Sequence, residues 1–137
     1  MRLNKVGLPL TAAIAGMLAV ALLAPAAAQG PSLAMLATLD HGQWEVRFRD
    51  SGETRRVCLR SGHELIQLQH RESGCSRFVV DDGVAAVTVQ YTCRGNGYGR
   101  TSIRRENTSL VQIESQGIDG GLPFQFSAEA RRTGTCR

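Results

Sequence analysis

Four cysteines and three histidines are the side chains of this 137-residue chain whose types and spacing could support chemistry. Cys58, Cys75, Cys93 and Cys136 include no C-x-x-C pair, and no pair of histidines lies near them. Zinc sites usually contain such pairs, so the spacing argues against a metal site. An even number of cysteines in an exported protein predicts two disulfides instead. The spacing leaves their connectivity open, and we favour Cys58 with Cys75 and Cys93 with Cys136.

The three histidines, His41, His63 and His70, form no recognisable catalytic or metal-binding motif. His63 and His70 are seven residues apart, whereas helical metal motifs place two histidines four residues apart. We interpret both as solvated residues of a short helix. The chain also lacks the Gly-x-Ser-x-Gly sequence of a nucleophile elbow. The sequence therefore predicts a protein that is not an enzyme and that uses no cofactor or metal.

Residues 1–28 have the composition of a signal peptide. Arg2 and Lys5 lie before an apolar run, and the segment ends with small residues at Ala28. We predict cleavage after Ala28, which leaves a single domain over residues 29–137 in the periplasm, with no stable membrane insertion. A membrane anchor is the alternative, but a proline near the end of the run and the small residues after it argue against an anchor.

The rest of the chain shows the alternation of apolar and polar residues that half-buried strands require. Trp44, Val46 and Phe48 point to one side, and the polar residues between them point to the other. We therefore predict a mainly β protein with a single antiparallel sheet, a sandwich or half-barrel of about seven strands, and one short α-helix. The six further strand-like segments are residues 54–59, 77–80, 85–93, 101–105, 110–115 and 122–130.

The short helix is predicted over about residues 62–70. Ser61 and Glu64 have the spacing of a capping box, in which the hydroxyl and the carboxylate bind the free N–H groups at a helix start. Leu65 and Leu68 would then pack on the sheet.

Arginine supplies all 14 cations that follow the predicted leader. Without Arg2 and Lys5 the formal net charge falls from +4 to +2, and this small charge, together with export, argues against a nucleic-acid partner. Genome composition is the plain explanation for the arginines, but guanidinium groups also suit phosphates and carboxylates. Arg104 and Arg105 are therefore candidate contacts to an anionic envelope component.

Trp44 has two interpretations. Its position in an alternating strand is typical of a core residue, but in a sheet that curls around a cavity the same residue would line an apolar pocket. Trp44 is therefore also a candidate ligand contact.

The Gly42-Gln43-Trp44-Glu45-Val46 opening, the four cysteines, the Tyr91-Thr92-Cys93 strand end and the terminal Gly134-Thr135-Cys136 together resemble one family of small exported bacterial proteins. This is domain-of-unknown-function family thirty-six seventeen, and the resemblance covers about residues 40–136. The chain has His41 where many members have a proline, and it is rich in arginine where many are rich in methionine and threonine. The resemblance implies a periplasmic, β-rich, disulfide-bonded domain and supplies no catalytic residues.

The sequence thus predicts a non-enzymatic envelope protein that binds a small apolar or anionic ligand. The alternative is a structural or protein-interaction module that docks through an arginine-rich face or a strand edge. Neither interpretation fixes the oligomeric state.

Overall fold

The computed structural model describes residues 30–137. The predicted signal peptide, residues 1–28 with its cleavage site, lies outside the described residues. Within residues 30–137, no helix is both long enough and apolar enough to cross a membrane.

Within residues 30–137, seven antiparallel strands form one open sheet, accompanied by one short α-helix. The elements are α1 (Ala34–Ala37), β1 (Gly42–Phe48), β2 (Thr54–Leu59), β3 (Ser76–Asp82), β4 (Ala86–Cys93), β5 (Gly97–Asn107), β6 (Leu110–Asp119) and β7 (Leu122–Gly134). The order along the sheet is β2, β1, β7, β6, β5, β4, β3, so the last strand lies beside the first. The predicted fold class, a mainly β protein with a single antiparallel sheet and about seven strands, is confirmed.

One face of the sheet carries the core. In β1, Trp44, Val46 and Phe48 are buried and the residues between them are more exposed, because successive side chains of a strand point to opposite faces. The same alternation continues in β4, β5 and β6. Two segments, residues 33–39 and 59–70, cover this face. Their buried apolar side chains are Leu33, Met35, Leu36, Leu39, Leu59, Leu65, Ile66 and Leu68.

The helix predicted over residues 62–70 is wrong in extent, because only a single 3₁₀ turn forms there, His63–Leu65. Gly62 precedes this turn with a φ of 82°, a left-handed conformation that interrupts regular helix geometry after Ser61. A Cβ at Gly62 would lie 2.6 Å from the carbonyl oxygen of Leu36, so this close approach to α1 requires glycine. The short α-helix of the fold is α1, in a segment whose sequence pattern is too weak to predict it.

The predicted disulfide pairing is also wrong. Cys58 is bonded to Cys136, and Cys75 is bonded to Cys93. The prediction joined Cys58 and Cys75 across the short helix expected between them, whereas the sheet places β7 beside β1. Gln43 of β1 pairs with Cys58 on one side and with the end of β7 on the other, which brings Cys136 next to Cys58. Likewise, the pairing of β3 with β4 brings Cys75 next to Cys93. Two disulfides indicate an oxidising, exported environment.

Candidate functional site

A cleft of about 350 Å³ lies where the two edges of the sheet meet the connection between them. The edge strands β2 and β3 both contribute residues, and the connection, residues 60–75, forms the rest of the wall. We call this site the basic cleft. It is lined by Arg55, Arg56, Val57, Cys58, His63, Glu64, Gln67, Leu68, His70, Arg71, Glu72 and Arg77.

Arg77 of β3 extends over the connection. Its Nε donates to Oε1 of Gln67 at 2.7 Å, and its Nη1 lies 3.4 Å from Nδ1 of His63. Arginine has no acceptor, so Nδ1 of His63 must accept, and a neutral His63 ring carries its proton on Nε2. Gln67 in turn donates to the backbone carbonyl of His70 at 3.2 Å. These contacts hold the guanidinium group of Arg77 at the cleft wall and leave further N–H donors free.

Arg55 of β2 is held as firmly in the same cleft. Its Nη1 donates to the backbone carbonyl of Leu68 at 2.7 Å, and its guanidinium carbon lies 4.9 Å from the ring centroid of Phe48. Its Nη2 lies 3.3 Å from Oε1 of Glu53. Stacking on an aromatic face and a hydrogen bond to a carbonyl together orient the planar guanidinium group.

Positive charge exceeds negative charge in the basic cleft. Its lining contains four arginines and two glutamates, so its formal charge is +2 when the histidines are neutral. Within residues 30–137, Arg56, Arg71 and Arg77 form no ion pair with a carboxylate. Guanidinium groups that are not neutralised by the protein can bind an anion from solution.

The two glutamates of the cleft are hydrogen-bonded away from the arginine side chains. The carboxylate of Glu64 accepts from the backbone N–H groups of Arg60 at 3.2 Å and Ser61 at 3.3 Å. Burial would raise the pKa of Glu64, but hydrogen bonds to its carboxylate outweigh burial and lower it. Glu72 accepts from Nδ2 of Asn96 at 2.8 Å, which lowers the pKa of its carboxyl. The predicted contact of Glu64 with Ser61 is thus present, although the full helix is not.

Two buried hydrogen bonds fasten the connection to the sheet. Nδ1 of His70 lies 3.0 Å from the hydroxyl of Tyr91 in β4, and Oγ1 of Thr101 in β5 donates to the carbonyl of Ile66 at 2.7 Å. His70 is only 1% exposed, so its interpretation as a solvated residue is wrong. Its Nε2 has no hydrogen-bond partner among the described residues, and Oδ1 of Asp119 lies 3.7 Å away, beyond hydrogen-bond distance.

The ring of Tyr91 occupies the space above Gly99 of the neighbouring strand. A Cβ at Gly99 would lie 2.3 Å from the Tyr91 hydroxyl oxygen, so only glycine leaves room for the ring. Burial raises the pKa of Tyr91 to about 12, and the negative charges of Asp119 and Glu72 add to this effect. Tyr91 therefore keeps its proton at neutral pH and positions His70 at the cleft wall.

The residues that the sequence singles out as ligand contacts lie apart from one another. Trp44 is fully buried in the core, and its Nε1 donates to the backbone carbonyl of Asp40 at 2.9 Å. Arg104 and Arg105 are neighbours in β5 and therefore point to opposite faces of the sheet. Arg104 is exposed, whereas Nη1 of Arg105 donates to Oγ1 of Thr38 at 2.8 Å. None of the three lines the basic cleft.

Sequence reasoning does not single out the residues that form the basic cleft. Arg77 belongs to a strand, Arg71 to a loop and His63 to a turn, and no short motif joins them. One signal was available, since the segment between Cys58 and Cys75 contains two of the three histidines and two arginines. A segment of this composition that lies between two disulfide-bonded cysteines is a candidate to line a basic site.

Comparisons of the chain with protein-family models, with curated proteins and with solved structures found no significant match. The resemblance to domain-of-unknown-function family thirty-six seventeen therefore stays a prediction. Function has to be inferred from the geometry of the site.

Proposed function

We propose that this chain is a non-enzymatic envelope protein that binds a small anionic ligand in the basic cleft. In this proposal residues 1–28 direct export and are removed, and the remaining chain acts in the periplasm. The observation that carries the proposal is the pair of cleft arginines Arg71 and Arg77, which have no carboxylate partner within residues 30–137.

The size of the cleft supports a small ligand. Small-molecule sites usually enclose roughly 300–1,000 Å³, and the basic cleft, at about 350 Å³, is at the lower end of that range. Its guanidinium groups suit a compact anion, such as a phosphate or a small carboxylate. The apolar ligand that the sequence also allowed has less support, because Trp44 and its neighbours pack against other core side chains.

The composition of the cleft supports binding rather than catalysis. Its one sulfur atom belongs to Cys58, which is bonded to Cys136. No serine or threonine is among its lining residues in the described part of the chain. Within residues 30–137 the cleft lining therefore contains no hydroxyl or thiol nucleophile next to a base.

A docking module is the second candidate, and the exposed apolar residues of β3 favour it. Phe78 is 70% exposed and Val80 is 40% exposed on this edge strand. An unpaired edge can accept a strand from a partner. However, the register of β3 shifts between Val79 and Asp81, and a bulge of this kind twists an edge away from regular pairing. We therefore favour the basic cleft.

The proposal can be tested by thermal unfolding in inorganic phosphate. Phosphate is titrated at constant ionic strength, with chloride as the balancing salt, so that general screening stays the same. A ligand that binds the folded state alone stabilises it by about 2.7 kcal/mol at a hundred times its Kd. We expect phosphate to raise the Tm of the unmodified protein and to have no effect on an Arg71→Gln/Arg77→Gln variant.

The matched control is Arg104→Gln/Arg131→Gln, which removes the same charge from the exposed face of the sheet. Both of these arginines are about 60% exposed and each lies beside a glutamate. The control should keep the full response to phosphate. If phosphate fails to raise the Tm of the control but raises that of the cleft variant, the result would instead support an arginine-rich docking face. If phosphate raises the Tm of no protein, including the unmodified one, anion binding is refuted.

A further inference from the structure

The face of the sheet opposite the core carries a straight row of polar side chains. Gln90 of β4 pairs with Arg100 of β5, Arg100 pairs with Gln116 of β6, and Gln116 pairs with Gln125 of β7. All four residues are exposed. We call them the glutamine row. Because neighbouring strands are spaced by about 4.8 Å, the row extends over roughly 14 Å.

The glutamine row lies in a depression of the sheet. Two hollows, of about 590 and 280 Å³, share Arg100, Gln116 and Gln125 and therefore form one continuous groove across the strands. Gln90 and Tyr98 line one end of the groove, and Glu114, Ser127 and Asp50 line the other. None of these residues lines the basic cleft.

The side chains of the glutamine row form no hydrogen bonds with one another, whereas other polar side chains on the same face of the sheet do. Beside the groove, Gln112 accepts from Arg49 and donates to Glu129, and Glu129 also pairs with Arg131. By contrast, within residues 30–137 no side chain of the glutamine row has a hydrogen-bond partner. The groove therefore presents three amide groups and one guanidinium group to a ligand.

Aromatic rings lie at one end of the row. Tyr98 is 45% exposed and lines the smaller hollow, and Phe78, which pairs with Gln90, is 70% exposed. Exposed aromatic faces can stack on the C–H faces of pyranose rings, which are apolar. The combination of aromatic faces with amide groups matches a sugar, since each sugar has an apolar face and a rim of hydroxyl groups.

The charge of the groove argues against a nucleic acid as its ligand, and the polarity of the groove argues against a protein. The groove contains one arginine, Arg100, and two carboxylates, Asp50 and Glu114, so its formal charge is −1 and it does not suit a nucleic acid, which needs several phosphate contacts. The centre of a stable protein interface is mainly apolar and poor in charge, whereas the centre of this groove is polar. An uncharged, hydroxyl-rich molecule fits the groove best.

We infer that the exposed groove binds an uncharged oligosaccharide that carries acetamido groups. A glutamine side chain offers a carbonyl acceptor and an NH₂ donor in one plane. An acetamido group presents the complementary N–H and carbonyl, so the two can bind reciprocally. The three amides lie on β4, β6 and β7, with Arg100 of β5 between the first two, and can contact different sugars of an extended chain.

Titration of the ¹⁵N-labelled protein with the tetramer of N-acetylglucosamine, followed by NMR, tests this inference. We expect saturable shifts at the side-chain amides of Gln90, Gln116 and Gln125. The tetramer of glucose, which has the same linkage and lacks acetamido groups, should bind at least tenfold more weakly. A Gln116→Ala/Gln125→Ala variant should lose at least tenfold in affinity, which corresponds to about 1.4 kcal/mol.

The matched control is Gln43→Ala, which removes a glutamine of β1 outside the groove. This variant should bind the N-acetylglucosamine tetramer as the unmodified protein does. The inference would be overturned by equal binding of both tetramers or by the absence of saturable shifts. It would also be overturned by shifts confined to the basic cleft, or by groove shifts that appear when the protein alone is concentrated. Because the two sites share no residue, this result does not depend on whether phosphate binds the basic cleft.

Discussion

The hydroxyl of Tyr91 lies 3.0 Å from Nδ1 of His70, and this buried contact joins β4 to the wall of the basic cleft. His70 has no other side-chain hydrogen bond among the described residues. A Tyr91→Phe substitution should therefore leave the imidazole without a partner and destabilise the protein by about 1–3 kcal/mol. Urea unfolding measures this loss. Tyr98→Phe, at an exposed tyrosine, serves as the control, and an equal effect of both substitutions would show that the contact with His70 contributes nothing.

The pKa of Tyr91, raised to about 12 chiefly by burial, predicts a loss of stability at high pH. In the unfolded chain a tyrosine loses its proton near pH 10. An acid whose pKa is higher in the folded state stabilises the fold below its unfolded pKa, and this stability is lost as the pH rises from about 10 to about 12. The loss should reach about 3 kcal/mol.

This ionisation can be followed by ultraviolet difference absorbance in a Tyr98→Phe variant, in which Tyr91 is the single remaining tyrosine. We expect its phenolate to appear near pH 12. A phenolate that appears near pH 10 while the protein is still folded would contradict the buried environment of Tyr91.

Gly99 gives a separate test of how Tyr91 packs. A methyl group at residue 99 would overlap the Tyr91 hydroxyl, so Gly99→Ala should destabilise the protein by about 1–3 kcal/mol. Gly30→Ala is a suitable control, since a Cβ at Gly30 meets no atom within 4 Å. In a Tyr91→Leu background the cost of Gly99→Ala should fall, because the hydroxyl oxygen and the ring carbons at 2.4 and 2.7 Å from that Cβ are gone. Additive losses in the double variant would mean that the two residues do not touch.

The disulfide pairing predicts which tryptic peptides remain linked without reductant. Cys58 and Cys136 should join peptide 57–60 to peptide 133–137, and Cys75 and Cys93 should join peptide 72–77 to peptide 78–94. Mass spectrometry of the digest identifies both pairs. A linked pair of peptides 57–60 and 72–77 would instead match the pairing of Cys58 with Cys75 that we favour from the sequence.

The two disulfides should also differ in their contribution to stability. They close loops with sequence separations of 78 and 18 residues. In the chain-entropy model these loops correspond to about 4.5 and 3 kcal/mol. Urea unfolding of the two double Cys→Ala variants should therefore show the larger loss when Cys58 and Cys136 are replaced, and the reverse order would contradict the model.

The strands could be predicted from the sequence because their signal is local. Burial of one face forces apolar residues to alternate with polar ones, as in Trp44, Val46 and Phe48. The order of the strands could not be predicted in this way, since nothing local to β7 shows that it pairs with β1. The wrong disulfide pairing has the same cause, because Cys136 reaches Cys58 only through that distant pairing.

The basic cleft could not be predicted for a related reason. Arg77 and His63 are 14 residues apart, and they meet because the connection between β2 and β3 folds back along the sheet edges. The short helix was overestimated because Ser61 and Glu64 have the spacing of a capping box, whereas Gly62 between them has a left-handed conformation and a single 3₁₀ turn follows it. Tertiary contacts, here with Leu36, overrode the local signal.

The most direct test of anion binding is an NMR titration of the arginine Nε–H resonances with inorganic phosphate. The basic cleft predicts saturable shifts at Arg71 and Arg77, because the unpaired guanidinium groups of this site would contact the ligand. Arg104 and Arg131 on the exposed face should not move beyond the effect of added salt. Shifts of equal size at all arginines, or none at Arg71 and Arg77, would contradict the proposal that the cleft is an anion-binding site.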